Sequence, residues 1–175
     1  MGMKKILIED DVIYLTYLDH SMDYDIWQNS LDENNKRFVP DEVFETLEIT
    51  HEVVEDLIQA YDNEDGPFVY PVFRISDNKN LGYVQLVKIE EGFEIGYHIA
   101  QKYNGQGYAT RAVTLFLQYL KNNTNIKEIY GVALADNLAS IKVLTKTGFK
   151  FYFEGMGLYQ GQNRKIVKAI KRLEN

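Results

Sequence analysis

The sequence predicts an α/β (α+β) fold: a single domain over residues 1–175, with a mixed, mostly antiparallel twisted sheet of about seven strands and helices on both faces. Three observations carry that expectation. The strand-like runs at 68–75, 81–89 and 93–99 follow one another with no helix between them, as in an antiparallel meander. The last run then leads through Gly105 and Gly107 into a helical pattern and on to an apolar run at 126–134. That is a βαβ step, which pairs its strands in parallel. Finally, 175 residues with 45% hydrophobic content can bury a core without disulfides, and the chain has no cysteine.

In chain order, 4–8 reads as a short edge strand closed by Glu9, Asp10 and Asp11, the last two as a solvated turn. Residues 12–32 read as partly helical from the spacing of Val12, Leu15, Leu18, Ile26 and Trp27, although the acidic DHSMDYD interrupts them. Pro40-Asp41 opens a clearer helix to about Tyr61, with Val43, Leu47, Val54, Leu57 and Ile58 on one face and a break near Thr50. The polar NEDGP at 63–67 stops it. Within 93–99, Phe93, Ile95, Tyr97 and Ile99 face one way and Glu94, Gly96 and His98 the other. Ala109, Ala112, Val113, Phe116 and Leu120 recur at helical spacing. Asn137 caps a short helix carrying Leu138, Ile141 and Leu144, ended by Gly148. Runs at 149–156 and 165–170 form a last hairpin around 159–163.

The net charge of −7 and a pI near 5.0 disfavour binding to a nucleic-acid backbone and suit a cationic or amine partner. No apolar run approaches membrane-span length, and the start, MGMKKILIEDD, lacks a signal-peptide core. A cytoplasmic protein with no membrane and no nucleic-acid partner is expected. The absence of cysteine removes thiolate nucleophiles and Cys–zinc sites and fits a reducing compartment. His20, His51 and His98 show no metal-ligand spacing, so no metal is expected.

The chemistry concentrates within 93–120. A strand, a glycine-bearing turn and a helix N-terminus together make an anion site, because glycine lets the backbone approach the ligand and N–H groups at the positive helix end face it. Gly105, Gln106 and Gly107 supply the turn, and Lys102 stands close in sequence with a cationic charge. The same glycines also suit a plain βα turn. Thr110 stands at the third glycine of the dinucleotide fingerprint G-x-G-x-x-G, and no Gly-Lys-Ser/Thr of a Walker A loop exists.

Three segments in order, EIGYHI at 94–99, NGQGYATRA at 104–112 and DNLASIKVLTKTGFKF at 136–151, resemble the GCN5-related N-acetyltransferase (GNAT) superfamily, most of all its RimJ/RimL-like branch. The family's Q/R-x-x-G-x-G/A signature lies over 102–107, with Lys102 in place of the usual Gln or Arg and Asn104 where Arg is common. The resemblance implies a GNAT-like acyl-CoA N-acyltransferase fold, in which acetyl-CoA wedges between two parallel strands that splay apart. It implies that the backbone of His98, Ile99 and Ala100 holds pantetheine. It also implies that Gly105, Gln106, Gly107, Tyr108 and Ala109 cradle the pyrophosphate, with Lys102 adding charge and Thr110 a hydroxyl. Asn137 hydrogen-bonds pantetheine or an ordered water in the same reading. Taken alone, Thr110 is equally an ordinary first-turn residue, and Asn137 and Ser140 are a helix cap and a helical residue.

The implied activity is transfer of acetyl from acetyl-CoA to a primary amine, a protein N-terminus or a small molecule, by direct attack in a ternary complex. Such a transfer needs a neutral amine, a stabilised oxyanion and a protonated or solvated sulfur. Glu94 aligns with the strand glutamate used as base by histone-acetylating relatives; by itself it reads equally as a solvated strand carboxylate. Leu144 occupies the position of the superfamily's common tyrosine acid and has no proton to give. Ser140, where RimL-like enzymes place a serine near the sulfur, is then the implied donor, with Tyr152 and Tyr159 behind it. By the same resemblance, residues 24–38, Trp27 among them, line the acceptor side. Leu144 also leaves open a non-catalytic CoA- or acyl-CoA-binding module of the same fold. Monomer and homodimer both fit the family.

Overall fold

The computed structural model describes residues 3–174. The chain enters the sheet through two short strands, β1 (Ile6–Glu9) and β2 (Ile13–Thr16). Asp10 makes their turn, one carboxylate oxygen accepting from the N–H groups of Val12 and Ile13, both at 2.8 Å. Its other oxygen meets Arg111 Nη1 at 2.7 Å, so Asp10 is a structural anchor rather than the solvated residue expected. β2 corrects the partly helical reading of 12–32. All four of its residues are buried, and a strand buried on both faces shows no alternation. Its apolar spacing therefore reads equally well as a helix.

Helix begins only at α1 (Asp23–Ser30). Asp32 then adopts an extended backbone and caps a separate α2 (Glu33–Phe38), accepting from Asn35 N at 2.7 Å. The helix expected to start at Pro40 is two elements. A 3-10 turn (Pro40–Glu42) comes first, and α3 (Leu47–Ala60) follows after Thr46 caps it. The break falls before Thr46, not near Thr50, which is fully buried inside α3 with its hydroxyl donating to Thr46 O at 2.9 Å.

The meander comes next, as expected: β3 (Phe68–Arg74), β4 (Lys79–Ile89) and β5 (Gly92–Ile99), each antiparallel to the one before. After it stand α4 (Tyr108–Asn123), β6 (Glu128–Leu134), α5 (Leu138–Lys146), β7 (Lys150–Tyr159) and β8 (Gln162–Arg172). The final hairpin is longer than its apolar runs suggested, since Gln160 and Gly161 alone, both at positive φ, turn it. The sheet has eight strands rather than about seven, in the order β1-β2-β3-β4-β5-β6-β8-β7.

The main core lies between the sheet and α4. Val84, Leu86, Ile95 and Ile99 meet Val113 and Phe116, the last fully buried. Leu18, Val54 and Val69 form a smaller cluster under α3. Among the described residues, no helix is long and apolar enough to cross a membrane.

The pairing of β5 differs on its two sides. Toward β4 it pairs along its whole length, Ile99 opposite Gly82 and Glu94 opposite Val87. Toward β6 it pairs in parallel only at Glu94 with Tyr130 and Ile95 with Gly131, and beyond that the two strands part. Gly82 seats the β4–β5 pair: its φ is +149°, and a Cβ there would lie 1.9 Å from the His98 carbonyl oxygen. Gly82→Ala therefore forces backbone from backbone. It is expected to cost more than the ~1–3 kcal/mol of ordinary overpacking. Chemical denaturation checks this, and a loss below about 1 kcal/mol contradicts it.

Candidate functional site

The glycine turn ends on the N-terminus of α4. Gly105 and Gly107 have φ of +76° and +81°, and a Cβ on either would meet nothing within 4 Å. Glycine is thus required by conformation while the space over the turn stays open. Gly107 is the N-cap and offers no side chain to the first-turn N–H groups. Gln106 is exposed, and Tyr108, Ala109 and Thr110 are half-buried in the first turn. Lys102 lies apart on the 3-10 turn Gln101–Tyr103, exposed, with Nζ 5.2 Å from the Tyr103 ring centre. Arg74, which the sequence does not single out, reaches the first residue of α4 while paired with Asp77, its Nε donating to Asp77 Oδ1 at 2.9 Å. Arg74 Nη1 donates to Tyr108 Oη at 3.2 Å, and its guanidinium lies 5.3 Å from the Tyr103 ring. No local signal marks Arg74, since it comes from the far end of β3.

Where β5 and β6 part, a cleft of about 460 Å³ opens, lined by Glu94, His98, Ile99, Ala109, Asn137 and Ser140 among others. Ladder alternation decides which backbone groups face it. Ala100 N–H donates to Leu81 O at 2.8 Å, and two residues back His98 is committed to β4 in the same sense. Ile99, and Tyr97 before it, are the residues whose backbone turns toward the opening. Of the three positions that the resemblance implies, His98 and Ala100 are thus occupied within the sheet.

On the far face of β5, Glu94 sits among groups that displace its titration. Burial pushes its carboxyl up to about 7, with Glu91 adding and Lys168 opposing. A second carboxyl carries no signal in the sequence. Glu42, in the turn before α3, is pushed above its usual range by burial, and a 3.2 Å hydrogen bond from Gln85 only partly offsets this. In the sequence it looks like a first-turn helical acid. Asp32 behaves oppositely: burial pushes its carboxyl up, but His98 and the N–H groups of Gln101 and Asn35 together hold it below its usual range. His98 Nε2 stands 3.5 Å from Asp32 Oδ2, longer than a formed hydrogen bond.

The α5 wall carries hydroxyls. Asn137 caps the helix, its Oδ1 accepting from Ser140 N at 3.2 Å. Tyr97 Oη lies 2.9 Å from Ser140 Oγ and 3.0 Å from Ser140 O. Burial drives the Tyr97 phenol well above its ordinary range. Leu144 is 1% exposed, and a Cβ on Gly131 would lie 2.8 Å from its Cδ2. It fills the core beneath β6 and leaves no room for a phenol. In the sequence Tyr97 is only an inward-facing strand residue, because nothing in its spacing reveals a partner 43 residues away.

Other predicted residues are spread around this centre. Tyr159 lines the cleft and donates to Phe38 O at 2.9 Å, its phenol raised to about 12 by burial, then by Glu42 and Glu94. Tyr152 is 56% exposed on β7. Trp27 stacks edge-on with Tyr24, away from the cleft lining. His20 and His51, unrelated by spacing, stack at 4.1 Å and converge on Asp23 at 3.1 and 2.6 Å, with ligand atoms close enough to share an ion. Glu55 accepts from His20 Nε2 at 2.7 Å and raises that imidazole, so the cluster ties α1 to α3.

A glycine turn with open space above it, at the N-terminus of α4, thus adjoins a cleft lined by a carboxyl that burial raises to about 7. The sequence model of the acetyltransferase (GNAT) domain family matches residues 15–150, and the chain belongs to that family. The probable N-acetyltransferase YjcK of Bacillus subtilis (strain 168) is 32% identical over 90 residues, 49% of this chain and 50% of that protein. The chain thus spans about half the length of that curated relative. Among solved structures, a GNAT-family acetyltransferase from Bacillus anthracis shares the fold with a TM-score of 0.83 at 20% identity, over 96% of this chain and 99% of that one. A RimL alpha-N-protein acetyltransferase of a ribosomal protein, in complex with coenzyme A, gives 0.82 at 18% identity, over 96% and 98%.

The displaced Glu94 titration has a consequence for stability. With a folded value near 7 against the usual 4.5, the neutral carboxyl is favoured on folding. Its contribution is full below pH ~4.5 and is lost as pH rises through about 7. Glu94→Gln, neutral throughout, should match the wild type at pH ~4.5 and exceed it at pH ~8 by up to about 3 kcal/mol. Denaturation at the two pH values measures this, and a gap that does not change with pH contradicts it.

Proposed function

We propose that residues 1–175 form one domain that transfers acetyl from acetyl-CoA to a primary amine by direct attack in a ternary complex. The observation that carries this reading is Glu94. It is a carboxyl raised to about 7 where the parallel strands part, so near neutral pH a large fraction is ionised and able to accept a proton. Family membership and the open glycine turn support acetyl-CoA as the donor, with its pyrophosphate on 105–110 and its pantetheine along Tyr97 and Ile99.

Acetyl-CoA, when bound, supplies a thioester carbonyl activated for attack. The amine arrives as its ammonium beside Glu42 and gives one proton to Glu94, directly or through water. The neutral amine then attacks the thioester carbonyl carbon, and as the N–C bond forms its second proton passes through solvent to the departing sulfur. As the C–S bond breaks, charge passes to sulfur. A phenol pushed above its ordinary range is a weak acid, so Tyr97 acts with Ser140 as a hydrogen-bond donor to that charge rather than as a full proton donor. In this reading the hydroxyls of Tyr97 on β5 and Ser140 on α5 stand in for the one that Leu144 lacks, which weighs against the binding-module reading.

An amine panel incubated with acetyl-CoA, read as released thiol, tests the activity. Turnover is expected with at least one primary amine. CoA binding with no release above buffer for any amine overturns the transferase reading in favour of a binding module. Gly107→Glu should abolish CoA binding, whereas Gly107→Ala, with the same backbone strain but no charge, should retain most of it.

Glu94→Gln should lower kcat/KM by about 10²–10⁴ and remove the acidic limb that the wild type shows near pH 7. Two acceptors of different amine pKa separate that limb from titration of the acceptor, and a limb that follows the acceptor alone leaves Glu94 structural. Tyr97→Phe and Ser140→Ala should each reduce kcat with little change in CoA affinity, and the double variant should lose less than the product of the two. Fully multiplicative losses would show that the hydroxyls act separately.

A further inference from the structure

A second cavity, of about 270 Å³, lies under α1 and α3 on the Glu94 face of the sheet. Its walls are apolar, with Leu18, Ile26, Phe44, Val53, Leu57 and Val69 prominent. It borders the reaction cleft, since Glu42, Tyr83, Gln85 and His98 line both. We infer that this cavity receives an apolar side group of the acceptor, so the substrate is a primary amine carrying an aliphatic or aromatic group close to its nitrogen.

Three observations support the assignment, which rests on the transferase reading above. The volume is below the roughly 300–1,000 Å³ of a whole small-molecule pocket, so it suits a side group rather than a cofactor. The carboxyl at the shared edge is incompletely paired: Glu42 has one carboxylate oxygen without a partner and Gln85 holds the other, while the exposed Asp41 also lines the cavity. A cationic amine completes that carboxyl while the apolar group passes inward, removing its own surface and that of the wall from water at ~25 cal/mol per Å². A polyamine, by contrast, would have to desolvate a second ammonium in a cavity whose one further lining carboxyl is the exposed Asp41.

Glycinamide and phenylalaninamide carry the same α-amine, so comparing them isolates the side group. Phenylalaninamide is expected to exceed glycinamide and spermidine in kcat/KM by at least about 10-fold, since one methylene in an apolar pocket is worth roughly 10–200-fold. Val53→Phe fills the cavity and should collapse that ratio toward one; Leu57→Ala, which enlarges it, should preserve or raise it. Equal kcat/KM for the two amides, or a ratio untouched by Val53→Phe in a protein that melts normally, overturns the inference. If CoA binds but no amine is turned over, the transferase reading fails alone. Calorimetric binding of phenylalaninamide to the CoA-loaded protein, absent with glycinamide and lost in Val53→Phe, then upholds the pocket, and no such binding overturns it. A leucine-initiated peptide beside leucinamide distinguishes a polypeptide terminus from a free amine as the source of the same chemistry.

Discussion

The parting of β5 from β6 is the constraint on which the rest of this structure depends. Two strands that pair only at Glu94–Tyr130 and Ile95–Gly131 leave the backbone donors and acceptors of Tyr97 and Ile99 without a ladder partner. Buried polar groups of that kind have to be satisfied by a neighbour or a ligand. β5 stays ordered because β4 holds it along its full length, and β6 because β8 does. α5 keeps the opening in place, packed so closely on β6 that Gly131 has no space for a side chain. The cleft is therefore built by sheet pairing that stops, between two pairings that continue.

That geometry also sets the electrostatics. Glu94 lies one residue before the last paired position, where desolvation is strong enough to bring its titration to about 7. One strand face carries Glu94 and His98, and the other carries Tyr97 against Ser140. In the proposed reaction, proton removal and stabilisation of the leaving group would therefore fall on opposite sides of a single strand, separated by its own backbone. Asp32 contributes a second kind of order. By capping α2 and accepting from Gln101 N at 2.8 Å, it ties the helix on the acceptor side to the end of β5.

The acceptor side is the less regular half. α1 and α2 are short and separate from the longer α3, and both polar clips and apolar burial hold them in place. His20, Asp23, His51 and Glu55 join α1 to α3 at the surface, while Leu18, Val54 and Val69 join them beneath. The apolar cavity lies between these helices and the sheet, an arrangement that allows the acceptor side to differ in shape while the donor side keeps its ladder.

Features that depend on residues near one another in the chain are legible in the sequence. The alternation of Phe93 to Ile99 gave β5 its two faces, Gly105 and Gly107 gave a turn open to an anion, and Asn137 gave α5 its cap. The fold class came from the order of such segments, and three motifs in sequence carried the family. Tertiary structure decided whatever depends on distance. β2 is buried on both faces, so its pattern carries no period to read. Arg74, Glu42 and Tyr97 look ordinary in sequence and become part of the site only through β3, a 3-10 turn and α5 brought alongside. Burial, which moves Glu94 to about 7, is a property of what packs over a residue. No stretch of sequence contains that, because a carboxyl's solvent is set by segments tens of residues away.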